Sequence, residues 1–201
     1  DGDDDDDGDD DDRDITVVIN DDDARDDDDV IRVSDRGDDY IEVGDYDKAV
    51  VEYDRVLRDD PDNVYVRRNR ADALIQTGGY DRAVVEYNQL LKVDTKDADL
   101  WYNRGCAHLA AGRTANAIAD FDKSIALQET GPLAYMAFNN RGSAYARGGD
   151  FTKALADFNS AVTVNPNDSL AYRNRSLAYK KLGQLDKAEA DLEKMKSLGS
   201  E

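Results

Sequence analysis

The chain has 201 residues and a formal net charge of -20, with one cysteine and one histidine. One cysteine excludes an internal disulfide framework, and one histidine without a cysteine cluster offers no set of residues for metal or nucleophilic chemistry. The acidity argues against nucleic acid or anionic membrane as partners, and no apolar run reaches the length of a membrane span or a secretory signal, so a cytoplasmic protein is expected.

Residues 1–29 hold 18 Asp and two Arg, a charge of -16, which leaves only -4 to the rest of the chain. Such a segment has almost no apolar surface to offset chain entropy and repels itself, which predicts a disordered acidic tail. Residues 15–19 (Ile-Thr-Val-Val-Ile) carry strand propensity but have no partner strand. Asp3, Asp5, Asp7, Gly8 and Asp14 fall at the spacing of a calcium loop. Any Asp run containing a glycine does the same, the twelfth residue is not a bidentate Glu, and no loop helices flank it, so no metal site is assigned.

From Val30 onward a pattern recurs every 34 residues, giving copies 30–63, 64–97, 98–131, 135–168 and 169–201. Position 8 is small: Gly37, Ala71, Gly105, Gly142 and Ser176. Position 15 is Gly44, Gly78, Gly112, Gly149 and Gly183, and position 20 is Ala49, Ala83, Ala117, Ala154 and Ala188. Position 24 is bulky: Tyr53, Tyr87, Phe121, Phe158 and Leu192. Pro61, Thr95, Thr130 and Pro166 close the units, where a second helix must stop.

Within a copy, apolar residues recur at helical spacing, as in Leu100, Trp101, Ala107, His108 and Ala111. Gly112 interrupts, and Ala117, Ile118, Phe121, Ile125 and Leu127 resume a second helical stripe. Each copy is therefore a helix hairpin, whose small residues let the helices approach while the bulky one fills the space beside them. Pro132 opens three extra residues before copy four and predicts an early helix start. Asp39 stands at position 10, where later copies have Ala73, Ala107, Ala144 and Ala178. An unpaired carboxylate at a packing position predicts either a frayed first hairpin or an Asp-rich N-terminal segment whose residue identities are not authentic. Mass spectrometry of that region would decide.

These positions resemble the tetratricopeptide repeat, over residues 30–201. The resemblance implies an all-α fold, a right-handed superhelical solenoid of five antiparallel helix hairpins whose first helices line a concave side. It also implies a protein–protein interaction scaffold or adaptor without cofactor or catalysis, binding an extended or helical peptide segment.

Position 6, which faces the concave surface in that family, is Asn69, Asn103, Asn140 and Asn174 in copies two to five. An amide can donate to and accept from a peptide main chain, or it can tie neighbouring helices together; the regular step favours the ligand role. With Tyr65, Arg68, Tyr102, Asn139, Arg147, Arg173, Lys180 and Lys181 these residues form the candidate groove, which becomes positive toward the C-terminal end. That gradient suggests an acidic segment over copies four and five, with the chain's own acidic arm as a competitor. The family's carboxylate clamp for chaperone tails is absent: copies one to three offer Ser34, Asp38, Asn69, Asp99 and Asn103, of which only Asn69 fits, and later registers do not restore it.

Position 7 is Arg36, Arg70, Arg104, Arg141 and Arg175, against Glu52, Glu86, Asp120, Asp157 and Asp191 at position 23. Paired in register, these predict a brace between the two helices. His108 reads as a packed residue, and Cys106, two positions away, does not face it. The sequence ends without the additional polar helix common in the family. The last face is then either polar, through Glu189, Glu193, Lys194 and Lys196, or leaves Leu192, Met195 and Leu198 for a homodimer.

Overall fold

The computed structural model describes residues 27–199, so the acidic arm through residue 26, with its strand-prone and calcium-like patterns, lies outside the described residues. Ten helices and no strands make up the described residues. They are α1 (Asp27–Glu42), α2 (Tyr46–Asp59), α3 (Val64–Gln76), α4 (Tyr80–Val93) and α5 (Ala98–Ala110), followed by α6 (Thr114–Leu127), α7 (Pro132–Arg147), α8 (Phe151–Val164), α9 (Ser169–Lys181) and α10 (Leu185–Leu198). α1 begins at Asp27, inside the segment 1–29 read as tail. Acidic residues suit a helix N-terminus, whose dipole favours negative charge, so composition alone misplaces that boundary.

Local chemistry sets the helix ends. The side chains of Asn63, Asp97 and Asp168 accept from backbone N–H groups in the first turns of α3, α5 and α9, and Asp45 and Asp150 do so for α2 and α8. Every hairpin turns at the position-15 glycine, with φ between 74° and 84°, a conformation that other residues adopt only under strain. α7 starts at Pro132, so the three extra residues lengthen it rather than forming a loop.

Each hairpin closes as a bulky residue over a small one. Gly37, Gly105 and Gly142 lie against the rings of Tyr53, Phe121 and Phe158, which are 0–2 % exposed. The position-20 alanines are buried beside them. Helices pack in sequence order, and α1 touches α3, α5 touches α7 and α7 touches α9, whereas even-numbered helices make no comparable contact with one another among the described residues. Odd helices thus crowd the inner side of an all-α solenoid and even helices form its outer side. Asp39 is exposed, not trapped: no hairpin precedes the first among the described residues, so position 10 of that copy reaches water while the four alanines at this position are buried.

Candidate functional site

On the inner side, neighbouring odd helices meet through positions 2, 5, 6 and 9, and position 13 of α7 reaches the backbone at position 12 of α5. Hydrogen bonds from one odd helix to the next hold this side together. Asn69 Nδ2 donates to Asp38 (3.1 Å), Asn103 Nδ2 to Asp72 (3.5 Å), Asn140 Nδ2 to the Tyr102 hydroxyl (3.0 Å) and Asn174 Nδ2 to Asn139 Oδ1 (3.0 Å). The repeated amide therefore spends a donor on tying neighbouring helices, the role given less weight from sequence, and Asn139 is a buried acceptor for it.

Other sequence-selected residues divide between structural use and free display. Arg68 pairs with Asp97, the Tyr65 hydroxyl donates to Asp38 (2.6 Å), and Arg147 donates to the Leu109 carbonyl (2.9 Å). Arg173, Lys180 and Lys181 are exposed and have no salt-bridge partner among the described residues. Leu170 and Leu177, not singled out before, stand exposed on the same face of α9.

A second relationship shapes the N-terminal half of the groove. Tyr53 donates to Asp38 (2.6 Å) and Tyr87 donates to Asp72, so position 24 of a hairpin bonds position 9 of the same hairpin. Where position 24 is Phe121 or Phe158, position 9 is Cys106 or Ser143. Asp38, Glu42, Tyr65, Asn69 and Asp72 line a pocket of about 370 Å³. Burial pushes the Asp72 carboxyl above its ordinary range despite the Tyr87 hydroxyl and Arg68, and burial likewise raises Cys106.

The braces do more than expected. Arg104 grips Asp120 with Nε (2.8 Å) and Nη2 (2.6 Å), Arg141 grips Asp157 and Arg175 grips Asp191 in the same way, and Arg70 Nη2 reaches Glu86 (2.6 Å). The remaining Nη1 of each reaches back to the preceding hairpin: Arg70 to Asp54, Arg104 to Asn88, Arg141 to Asp122 and Arg175 to Asn159. All four acceptors occupy position 25, so each arginine staples two consecutive hairpins. Glu52 instead binds Arg55 (2.8 Å).

His108 is buried, its Nδ1 accepting from Arg113 Nε (3.0 Å) and its Nε2 lying 3.9 Å from Asp120. Burial lowers its pKa against the pull of Asp120. Among the described residues no group of three His, Cys, Asp or Glu is placed to hold a metal ion, and no helix is long and apolar enough to cross a membrane.

Tetratricopeptide-repeat family models match residues 40–103, 102–169 and 139–199. The chain belongs to the tetratricopeptide-repeat family. No curated protein matches its sequence. Among solved tetratricopeptide-repeat-like structures, one titled "Crystal structure of MamA" superposes with a TM-score of 0.73 at 26 % identity, covering 82 % of this chain and 94 % of that one. MamA 41-end from Desulfovibrio magneticus RS-1 gives 0.77 at 16 %, covering 85 % and 95 %. YrrB, titled a TPR protein with an unusual peptide-binding site, gives 0.66 at 19 %, covering 84 % and 86 %. At the lower identities the likeness is one of fold. A tetratricopeptide-repeat fold is a protein-interaction scaffold.

Proposed function

We propose that this protein is a non-catalytic adaptor that holds a peptide segment of a partner protein along its inner face, in a reducing compartment such as the cytoplasm where its one thiol stays free. The observation that carries the reading is the display of side chains on the odd helices: on α3 Tyr65 is 57 % exposed, and on α9 Leu177 is 53 % exposed, with Leu170, Arg173, Lys180 and Lys181 exposed on the same helix. Apolar and cationic side chains displayed together on a surface held rigid by inter-helix bonds suit an extended segment. The peptide-binding site named for YrrB, on a similar fold, supports the same use.

The Asn ladder contributes through its carbonyl oxygens and second amide hydrogens, since one donor of each is already used inside. Peptides selected from a random library should lose about ten-fold in affinity for the Tyr65→Ala, Leu177→Ala double variant and keep it for the outer-face variant Lys123→Ala. Peptides indifferent to the inner-face change would refute the groove.

Self-association through the last hairpin is a second reading, favoured by Leu185 and Leu192, which are 63 % and 39 % exposed. Two of the residues first assigned to that role are otherwise engaged: Met195 and Leu198 pack onto the core around Tyr172. A concentration-dependent mass in sedimentation that Leu185→Ser with Leu192→Ser abolishes would support it, and a strict monomer would end it.

A further inference from the structure

The charges of the inner face are sorted by sign along the solenoid. Asp38, Glu42, Asp72 and Asp99 stand toward its N-terminal end, where the nearby cations are already engaged: Arg68 by Asp97, Arg67 by Glu86 and Arg70 by Asp54 and Glu86. Toward the C-terminal end α7 and α9 contain no acidic residue at all. Arg173, Lys180 and Lys181 are exposed there, as is Arg147, whose guanidinium also donates to the Leu109 carbonyl. Among the described residues neither Asp38 nor Asp72 has a salt-bridge partner, and neither do these four cations; Asp38 and Asp72 are held by hydroxyls and amides, with Arg68 near Asp72 but paired to Asp97.

Resting on the groove reading above, the geometry points to a partner segment whose own charge is polarised: basic residues over α1 and α3 and acidic residues over α7 and α9, within one extended stretch. A uniformly acidic segment is repelled at the first end and a uniformly basic one at the second, whereas a sorted segment is attracted at both. Packed helices stand ~8–10 Å apart and an extended chain advances ~3.3 Å per residue, so the centres of the two charged zones, three helix steps apart, correspond to roughly eight residues of ligand. That separation exceeds the Debye length of about 8 Å at physiological salt, so each end reads its own part of the ligand independently. Leu170 and Leu177 add an apolar contact at the cationic end, so the acidic part of the segment carries apolar residues as well.

The test compares two labelled peptides of one composition by fluorescence anisotropy on the full chain. One has three lysines, a neutral spacer of about eight residues and three glutamates; the other has the same lysines and glutamates alternating. The sorted peptide should bind about five-fold tighter at about 50 mM salt, and the gap should close at about 500 mM. In the Arg173→Glu, Lys181→Glu variant, both changes being at exposed positions, preference should pass to a peptide with lysines at both ends. The Asp-rich arm is unchanged in that variant, so a preference owed to the arm would persist and would overturn the inference, as would equal affinity for the two isomers. If neither peptide binds while library-selected peptides still depend on Tyr65 and Leu177, the charge inference alone fails. If those too ignore the inner face, the groove reading fails with it.

Discussion

Gly142 lies beneath the ring of Phe158 so closely that a Cβ there would stand 2.7 Å from the ring Cε1 and 3.1 Å from the Ala154 carbonyl oxygen. At Gly105 the corresponding approach to Phe121 is 2.8 Å, and the three nearest atoms all belong to the ring. A ring can tilt, but a helix backbone moves only with its whole helix. Gly142→Ala should therefore destabilise by about 1–2 kcal/mol even after the helix-propensity gain of about 1 kcal/mol, and Gly105→Ala by less. Denaturant unfolding of the two variants decides; stabilisation at Gly142 would contradict the close approach.

The grip of Arg104 on Asp120 supports a double-mutant cycle. Their side chains are 17 % and 5 % exposed, so Asp120→Ala leaves a guanidinium largely shielded and unpaired, at a cost of about 3 kcal/mol. The coupling energy between Arg104→Ala and Asp120→Ala should be about 1–3 kcal/mol, and Arg104→Asp combined with Asp120→Arg should be more stable than either reversal alone. A coupling near zero would show that the two residues act independently.

Asp72 carries a pH signature. Its carboxyl is pushed above the ordinary 3.8 by burial, so the folded state holds this proton more tightly than the unfolded chain. The stability it contributes is complete below pH about 4 and is lost as pH rises through the raised value. Asp72→Asn keeps an acceptor for the Tyr87 hydroxyl and removes the charge. Its stability relative to wild type should improve as pH rises from about 4 toward 7, with no improvement at lower pH, when unfolding is followed across that range.

His108 has the opposite sign. Burial holds its pKa below 6.5, so its contribution is present above that value and is lost as pH falls through it toward the depressed folded value. Protonation also removes the lone pair that accepts from Arg113. His108→Phe should flatten the stability profile between pH about 7 and 5, whatever constant offset the lost Arg113 bond introduces. A profile as steep as wild type would assign the slope to other groups.

Much of the fold was legible because packing repeats in sequence when it repeats in space. The small residue at position 8 and the ring at position 24 could be read as a contact, and Arg104 with Asp120 as a pair. The second hand of each staple was missed although Asp54, Asn88, Asp122 and Asn159 form a column in the same registers. A partner at position 23 already accounted for each arginine, and one guanidinium serving two hairpins is visible only in three dimensions. The exchange of Tyr87 and Asp72 for Phe121 and Cys106 was likewise written in the columns. The direction in which Asn140 donates was not, because an amide that ties helices and one that meets a ligand have the same residue type and the same spacing. Met195 and Leu198 looked free because periodicity assigns a stripe, not the twist that lays it on Tyr172.

The staple has a consequence for how such a chain can change. Arg141 reaches back 19 residues to Asp122 where the other three reach back 16, so the three residues ahead of α7 are absorbed without breaking the link. Since every link joins the same two positions of adjacent hairpins, a hairpin is an interchangeable part: removing residues 98–131 would present Arg141 to Asn88 in place of Asp122. The distance between the acidic and basic ends can then lengthen or shorten in whole-hairpin increments, and with it the length of the segment the protein can measure.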